Sequence, residues 1–250
     1  MPSQIANAFD SIEDTIEAFS TSPRPALWYY KLTRIPENGE FIVVLDDLSR
    51  ENEGDLIIAA SEVTTEKMAF MVRYSSGVIC APMPPNLTTH FDLPQMVTNN
   101  ADPNRTAYTV SIDANLPEIT TGISAHDRAL TIRTLASKSA TQASFRRPGH
   151  IFPLKAKVGG VRERIGHTEA AVEFCRLAGK PLVAAISEIV DDIAPIEGQA
   201  LIPDTGMLRR DGCLAFGKRF GLKVCTIEHL VLYVEKTEGK LVKTTNGATT

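Results

Sequence analysis

Five consecutive apolar residues, Phe41-Ile42-Val43-Val44-Leu45, run straight into Asp46-Asp47 and then into Arg50-Glu51-Asn52-Glu53-Gly54-Asp55. The short, β-branched run predicts a buried strand. The ten residues after Leu45 hold five carboxylates (Asp46, Asp47, Glu51, Glu53, Asp55) with one Arg and one Gly. The fold must therefore end a core strand at a rim where like charges crowd together. Two readings are open there. One is a solvated acidic turn. The other is an oxygen-rich site for a hard cation such as Mg²⁺, which takes a few carboxylates plus water and substrate oxygens.

Elsewhere short apolar runs alternate with helical spacing, which predicts mixed α and β. Helices are expected at Ser11–Phe19, at Thr65–Tyr74 and behind Ser124, an N-cap with Asp127 as its partner. Further helices are expected at Thr168–Ala178, closed by Gly179 and Pro181, at Gly212–Phe220 and at Glu228–Val234. Strands are expected at Val78–Ala81, Thr106–Asp113, Leu182–Val190 and Leu222–Cys225, and residues 137–150 read as a polar loop. The expected organisation is an N-terminal helix and irregular arm over 1–38, a single α+β domain over 39–235 and a disordered tail over 236–250.

Composition excludes several classes. Hydrophobic residues make up 43% of the chain, enough for a real core, and the net charge of −4 argues against nucleic acid as a partner. No apolar run reaches the ~18 residues of a membrane span. The N-terminus lacks a secretory pattern, so a cytoplasmic location is expected. Four widely spaced cysteines without C-x-x-C fit reduced thiols. Neither G-x-G-x-x-G nor a P-loop occurs.

Three further features carry chemistry. Arg164-Ile165-Gly166-His167-Thr168 precedes a helix, and helix N–H groups, a Gly and an Arg together suit an anion such as a phosphate ester. Arg146, Arg147, His150, Lys155, Lys157 and Arg162 lie upstream. An RNA backbone is the alternative ligand, disfavoured by the scarcity of interleaved aromatics. His167 is open to anion binding, metal ligation or proton transfer. Glu188 shares a strand face with Leu182, Ala184, Ile186 and Val190, where burial would raise its pKa toward acid–base use. Thr120-Thr121-Gly122 offers a second helix N-terminus, Thr109 lies on the polar face of its strand, and Cys80 ends a strand as a small core residue.

Four stretches occur in order: FIVVLDDLSRENEGD (41–55), TTGISAHDR (120–128), RPGHIFPL (147–154) and RIGHTEA (164–170). Together they closely resemble the 3,4-dihydroxy-2-butanone 4-phosphate synthases of riboflavin biosynthesis, over about residues 39–234. The resemblance implies a homodimeric α+β protein with a mixed sheet flanked by helices. It implies a Mg²⁺-dependent lyase (with Mn²⁺ as substitute) that converts D-ribulose 5-phosphate to formate and L-3,4-dihydroxy-2-butanone 4-phosphate. It places the metal on Glu51 and His167. It assigns catalysis to His150, Glu188, Glu53 and Asp55, and substrate contacts to Arg50, Glu51, Asp55, Cys80, Thr109, Thr121, Arg164, Ile165, Gly166, His167, Thr168 and Glu188. Two departures are visible. Ser187 stands where many members carry Cys before the Glu, and residues 20–38 look like an insertion. Some members are fused to a zinc-binding GTP cyclohydrolase; without a C-x-C pair this chain is expected to be monofunctional.

Overall fold

The predicted first strand is covered on both sides. Val43 and Leu45 pack into one apolar cluster, Ile42 and Val44 into another. Such a strand belongs inside a sheet with helices on each face. The computed structural model, which describes residues 8–20, 40–47, 50–191 and 206–241, has that arrangement.

In chain order the elements are α1 (Ile12–Ser20), β1 (Ile42–Leu45), β2 (Gly54–Ala59), α2 (Thr65–Tyr74), β3 (Cys80–Met83), α3 (Pro85–His90), β4 (Ile112–Ala114) and α4 (Ala125–Leu135). They continue with β5 (Phe145–Lys155), α5 (His167–Leu177), β6 (Ala184–Glu188), β7 (Val190–Asp191), β8 (Gly206–Met207), α6 (Arg210–Phe220), β9 (Lys223–Thr226) and α7 (Ile227–Glu238). The seven-stranded sheet has the order β4-β5-β3-β6-β2-β1-β9, and β7 and β8 form a separate ribbon. The β3–β5 and β1–β9 pairs are parallel and the other pairs antiparallel, so the sheet is mixed, as expected. Met68, Met71, Ala129, Ile132 and Cys213 bring α2, α4 and α6 onto one face. Ile12, Phe174 and Leu230 bring α1, α5 and α7 onto the other.

Local chemistry fixes the helix ends. Ser124 Oγ accepts from Asp127 N at 3.0 Å, the cap the sequence predicts. Gly221 closes α6 at φ 70°, a conformation that costs an L-residue with a side chain.

Several expectations need correction. Residues 145–150, read as polar loop, form the first half of β5, and Arg146 and Arg147 turn their guanidinium groups onto the carbonyls of Ala114, Phe145 and Phe91. The strand expected at Thr106–Asp113 shrinks to Ile112–Ala114 plus single bridges at Tyr108 and Thr109. Val110 N bonds the Pro94 carbonyl and Thr109 N the Pro153 carbonyl, and neither proline can donate in return. β2 has no counterpart in the sequence reading. β3 starts two residues late, β6 is the Ala184–Glu188 core of the expected 182–190, and α7 continues past 235 to Glu238. The arm at 20–38 lies, beyond Ser20, outside the described residues, as do 242–250 of the tail.

Candidate active site

The acidic motif is a folded loop between two paired strands. Val44 stands opposite Asp55 and Leu45 opposite Gly54. Buried Asp46 clasps the turn: Oδ1 accepts from Glu53 N at 2.9 Å, and Oδ2 accepts from Glu51 N at 3.1 Å and from Arg50 Nη1 at 2.7 Å. Asn52 takes φ 53°. Arg209 donates to the carbonyls of Glu51 and Asn52, both at 2.6 Å. Arg50 also pairs with Glu51 Oε2. These bonds hold the carboxylates close together despite their repulsion.

His167, the first residue of α5, completes the cluster. Its Nε2 lies 3.0 Å from the Val44 carbonyl. A carbonyl only accepts, so Nε2 carries the proton and Nδ1 presents its lone pair. Nδ1 faces Glu51 Oε2 at 3.8 Å and Asp55 Oδ1 at 3.7 Å. Desolvation, opposed by Asp46 but reinforced by Arg50, lowers the imidazole pKa to about 4, so the ring is neutral near pH 7.

The carboxylates shift the other way. Burial first, then Glu188, Glu51, Glu53 and Asp46, push Asp55 well above the usual carboxylate range. Burial likewise raises Glu51 and Glu53. Asp55 Oδ1 is buried with no hydrogen-bond partner among the described residues. One ligand atom each from Asp46, Glu51 and His167 lies within 4.8 Å of the others. An orphaned carboxylate oxygen, a neutral imidazole and oxygen-rich neighbours fit a divalent cation.

Glu188 sits directly across the β2–β6 ladder from Asp55. Ser76 donates to Glu188 Oε2 at 3.1 Å and, through its backbone N–H, to the Glu188 carbonyl at 2.7 Å. Cys80 pairs with Ile186 one strand further. Burial, then Glu188 and Asp55, push its thiol upward, so it stays protonated at neutral pH.

The stretch before α5 is partly committed. Arg164 Nη1 pairs with buried Glu169 at 2.6 Å, and its Nε and Nη2 donate to the Asn104 carbonyl at 3.1 and 3.0 Å. Gly166 is the N-cap, and among the described residues no side chain caps the first turn of α5. Thr168 is buried, whereas Ile165 is half exposed. Thr109 is buried, and its hydroxyl donates to the Pro153 carbonyl at 3.0 Å.

His150 belongs to a second cluster. Alternation along β5 puts it on the side of Phe152 and Leu154, the face that α5 covers. Asp113 grips it twice, at the backbone N–H and at Nδ1, both 2.9 Å, which leaves Nε2 as the free nitrogen. β5 lies two strands from β6, so His150 and Glu188 are on the order of 10 Å apart. Gly122 sits against Asp113 and His150 with no room for a Cβ, and exposed Thr121 adjoins it. The oxyanion site expected at Thr120–Gly122 is already filled: Asp127 Oδ2 accepts from Thr120 N, Thr120 Oγ1 and Gly122 N. The expected basic cluster also disperses, with Arg162 bonded to Gly239 and Glu238.

The profile of the family described as 3,4-dihydroxy-2-butanone 4-phosphate synthase matches residues 32–233. The chain belongs to this family. A 3,4-dihydroxy-2-butanone 4-phosphate synthase of Pyricularia oryzae is 62% identical over 240 residues, covering 96% of this chain and 95% of its own length. One from Saccharomyces cerevisiae is 47% identical over 206 residues, covering 80% and 94%. A crystal structure of a 3,4-dihydroxy-2-butanone 4-phosphate synthase with two magnesium ions superposes with a TM-score of 0.84 at 63% identity, covering 93% of this chain and all of that one. Sequence reasoning gave no role to Ser76, Asn104, Asp113 or Arg209 and none to Asp46 beyond membership of the acidic cluster; each holds a candidate site residue in this fold. For Asp46 a signal existed: it opens the acidic motif at the end of a buried strand.

Proposed function

We infer that this chain is a lyase converting D-ribulose 5-phosphate to formate and L-3,4-dihydroxy-2-butanone 4-phosphate in riboflavin biosynthesis. The observation that carries this reading is the neutral His167 Nδ1 aimed at Glu51 and at the orphaned Asp55 carboxylate. Glu51 and His167 hold Mg²⁺, with Mn²⁺ as a substitute. When bound, the ion supplies Lewis acidity toward the oxygens of a ketose. Asp46 keeps the loop in shape.

Asp55 and Glu188, neighbours across the ladder, divide acid and base work; the raised pKa of Asp55 suits a group that holds and returns a proton. Glu53, raised by burial, adds a further carboxyl at the rim. His150, held by Asp113, presents Nε2 as a proton carrier. The first turn of α5 binds the phosphate through backbone N–H groups, and Arg164 to Thr168, Arg50, Cys80, Thr109 and Thr121 line or support the substrate.

The His150–Asp113 pair stands apart from the acidic cluster within one chain, which supports a homodimer with sites near the subunit interface. No described helix is long and apolar enough to cross a membrane, and the net charge of −4 disfavours nucleic acid; a cytoplasmic location fits both. The direct test is incubation with D-ribulose 5-phosphate with and without Mg²⁺. Formate should appear only with the ion; its absence in both arms would refute the reading.

A further inference from the structure

Glu51 is held from outside its own loop. Its Oε1 accepts from Asn104 Nδ2 at 2.6 Å, while Oε2 faces Arg50 and His167. A carboxylate can only accept, so the amide nitrogen of Asn104 must point at it. Asn104 is itself clamped: its carbonyl receives both Nε and Nη2 of Arg164, at 3.1 and 3.0 Å. Arg164 then pairs with Glu169, which sits in the first turn of α5 two residues after His167, and Glu169 also accepts from Lys157 N at 3.0 Å.

The segment carrying Asn104 is tied together by its own hydrogen bonds. Thr106 N donates to Asp102 Oδ2 at 2.7 Å, Asn100 Nδ2 donates to the Thr106 carbonyl at 2.9 Å, and Arg105 takes φ 52°. Asn104 thus bridges the two segments that bring Glu51 and His167 together, the acidic loop and the start of α5.

We propose that Asn104 is a positioning residue for the divalent cation. It fixes the Glu51 carboxylate so that one oxygen stays turned toward His167, and it transmits the placement of α5 to the acidic loop. Outer hydrogen bonds of this kind orient metal ligands, and losing one typically costs ~10–100-fold in affinity. The inference rests on the reading of Glu51 as a ligand.

The test measures Mg²⁺ binding to substrate-free protein by isothermal titration calorimetry for wild type, Asn104→Ala, Asn104→Asp and Glu51→Gln. Asn104→Ala should weaken binding about tenfold. Asn104→Asp keeps the shape but sets a carboxylate against Glu51, and should weaken it further. The Mg²⁺ concentration for half-maximal formate release should rise in step, with a smaller change in KM for D-ribulose 5-phosphate at saturating Mg²⁺. Unchanged Mg²⁺ affinity in both folded Asn104 variants, beside a loss in Glu51→Gln, would overturn the role of Asn104 alone. Unchanged affinity in Glu51→Gln would overturn the ligand assignment itself. If Asn104→Asp does not fold, Asn104→Ala decides.

Discussion

At the residue scale, the site works by setting groups of one kind in different surroundings. Asp55 is buried, with Oδ1 lacking a hydrogen-bond partner among the described residues, whereas Glu188, opposite it, accepts from Ser76 and reaches solvent. Glu188→Gln keeps the shape and the Ser76 contact but removes a base. It should lower kcat by about 10²–10⁴-fold with little change in KM, as expected for loss of a proton-transfer group. A change confined to KM would make Glu188 a binding residue. The loop carboxylates and both histidines stood out in the sequence because each lies in a compact motif, and Glu188 because it shares a face with apolar strand residues. Asn104, Asp113 and Ser76 were not, since a single polar residue in a polar stretch shows nothing until the fold sets it against a distant partner. Arg164 shows the converse: its motif suggested a free phosphate ligand, yet most of its donors hold Glu169, Asn104 and Thr106.

At the element scale, the strands that carry the chemistry were the hardest to read. β1 announces itself by five apolar residues, but β2 opens with Gly54 and Asp55, which belong to the motif as much as to the strand. β5 opens with Phe145 followed by Arg-Arg-Pro-Gly-His, a composition that reads as loop. It pairs with β4 through an irregular register between Ile112 and Asp113, and Gly149 lies directly on that backbone. A Cβ at Gly149 would overlap Ile112 and Asp113 main-chain atoms, which have no rotamer to yield. Gly149→Ala should therefore destabilise the protein by about 1–3 kcal/mol and displace His150 from Asp113. Denaturant unfolding with a normal midpoint would show that the two strands separate more easily than this packing implies. Gly54→Ala meets a different neighbour, the Cys213 sulfur, and a side chain is the more forgiving obstacle.

At the scale of the whole molecule, the acidic cluster opposes the fold that contains it. Asp55, Glu51 and Glu53 all have raised pKa values. Their protonated forms favour the native state below the unfolded carboxyl range, and that contribution is lost as pH rises through the folded values. His167 is lowered from 6.5 to about 4, so its contribution is present above 6.5 and lost as pH falls toward 4. A divalent cation competes with protons for these groups. The Mg²⁺-induced rise in melting temperature at fixed Mg²⁺ should therefore grow between pH 5 and pH 8, the underlying stabilisation reaching about 3 kcal/mol where the ion is at a hundredfold excess over Kd. An equal rise at both pH values would refute the linkage. The mixed architecture itself was legible, because it depends on the summed alternation of apolar runs; the order of the strands was not, because it depends on long-range pairing. That pairing governs when the site can exist. Asp55 and Glu188 meet only across the β2–β6 ladder, between segments far apart in the chain, and His167 arrives on a helix that follows β5. A nascent chain that has released the acidic motif but not β6 can pair β1 with β2, yet lacks the strand that sets Glu188 opposite Asp55. Contacts of such high sequence separation form late and slowly. Mg²⁺ then acts on a sheet already assembled, and its kinetic signature is slower unfolding with little gain in folding rate.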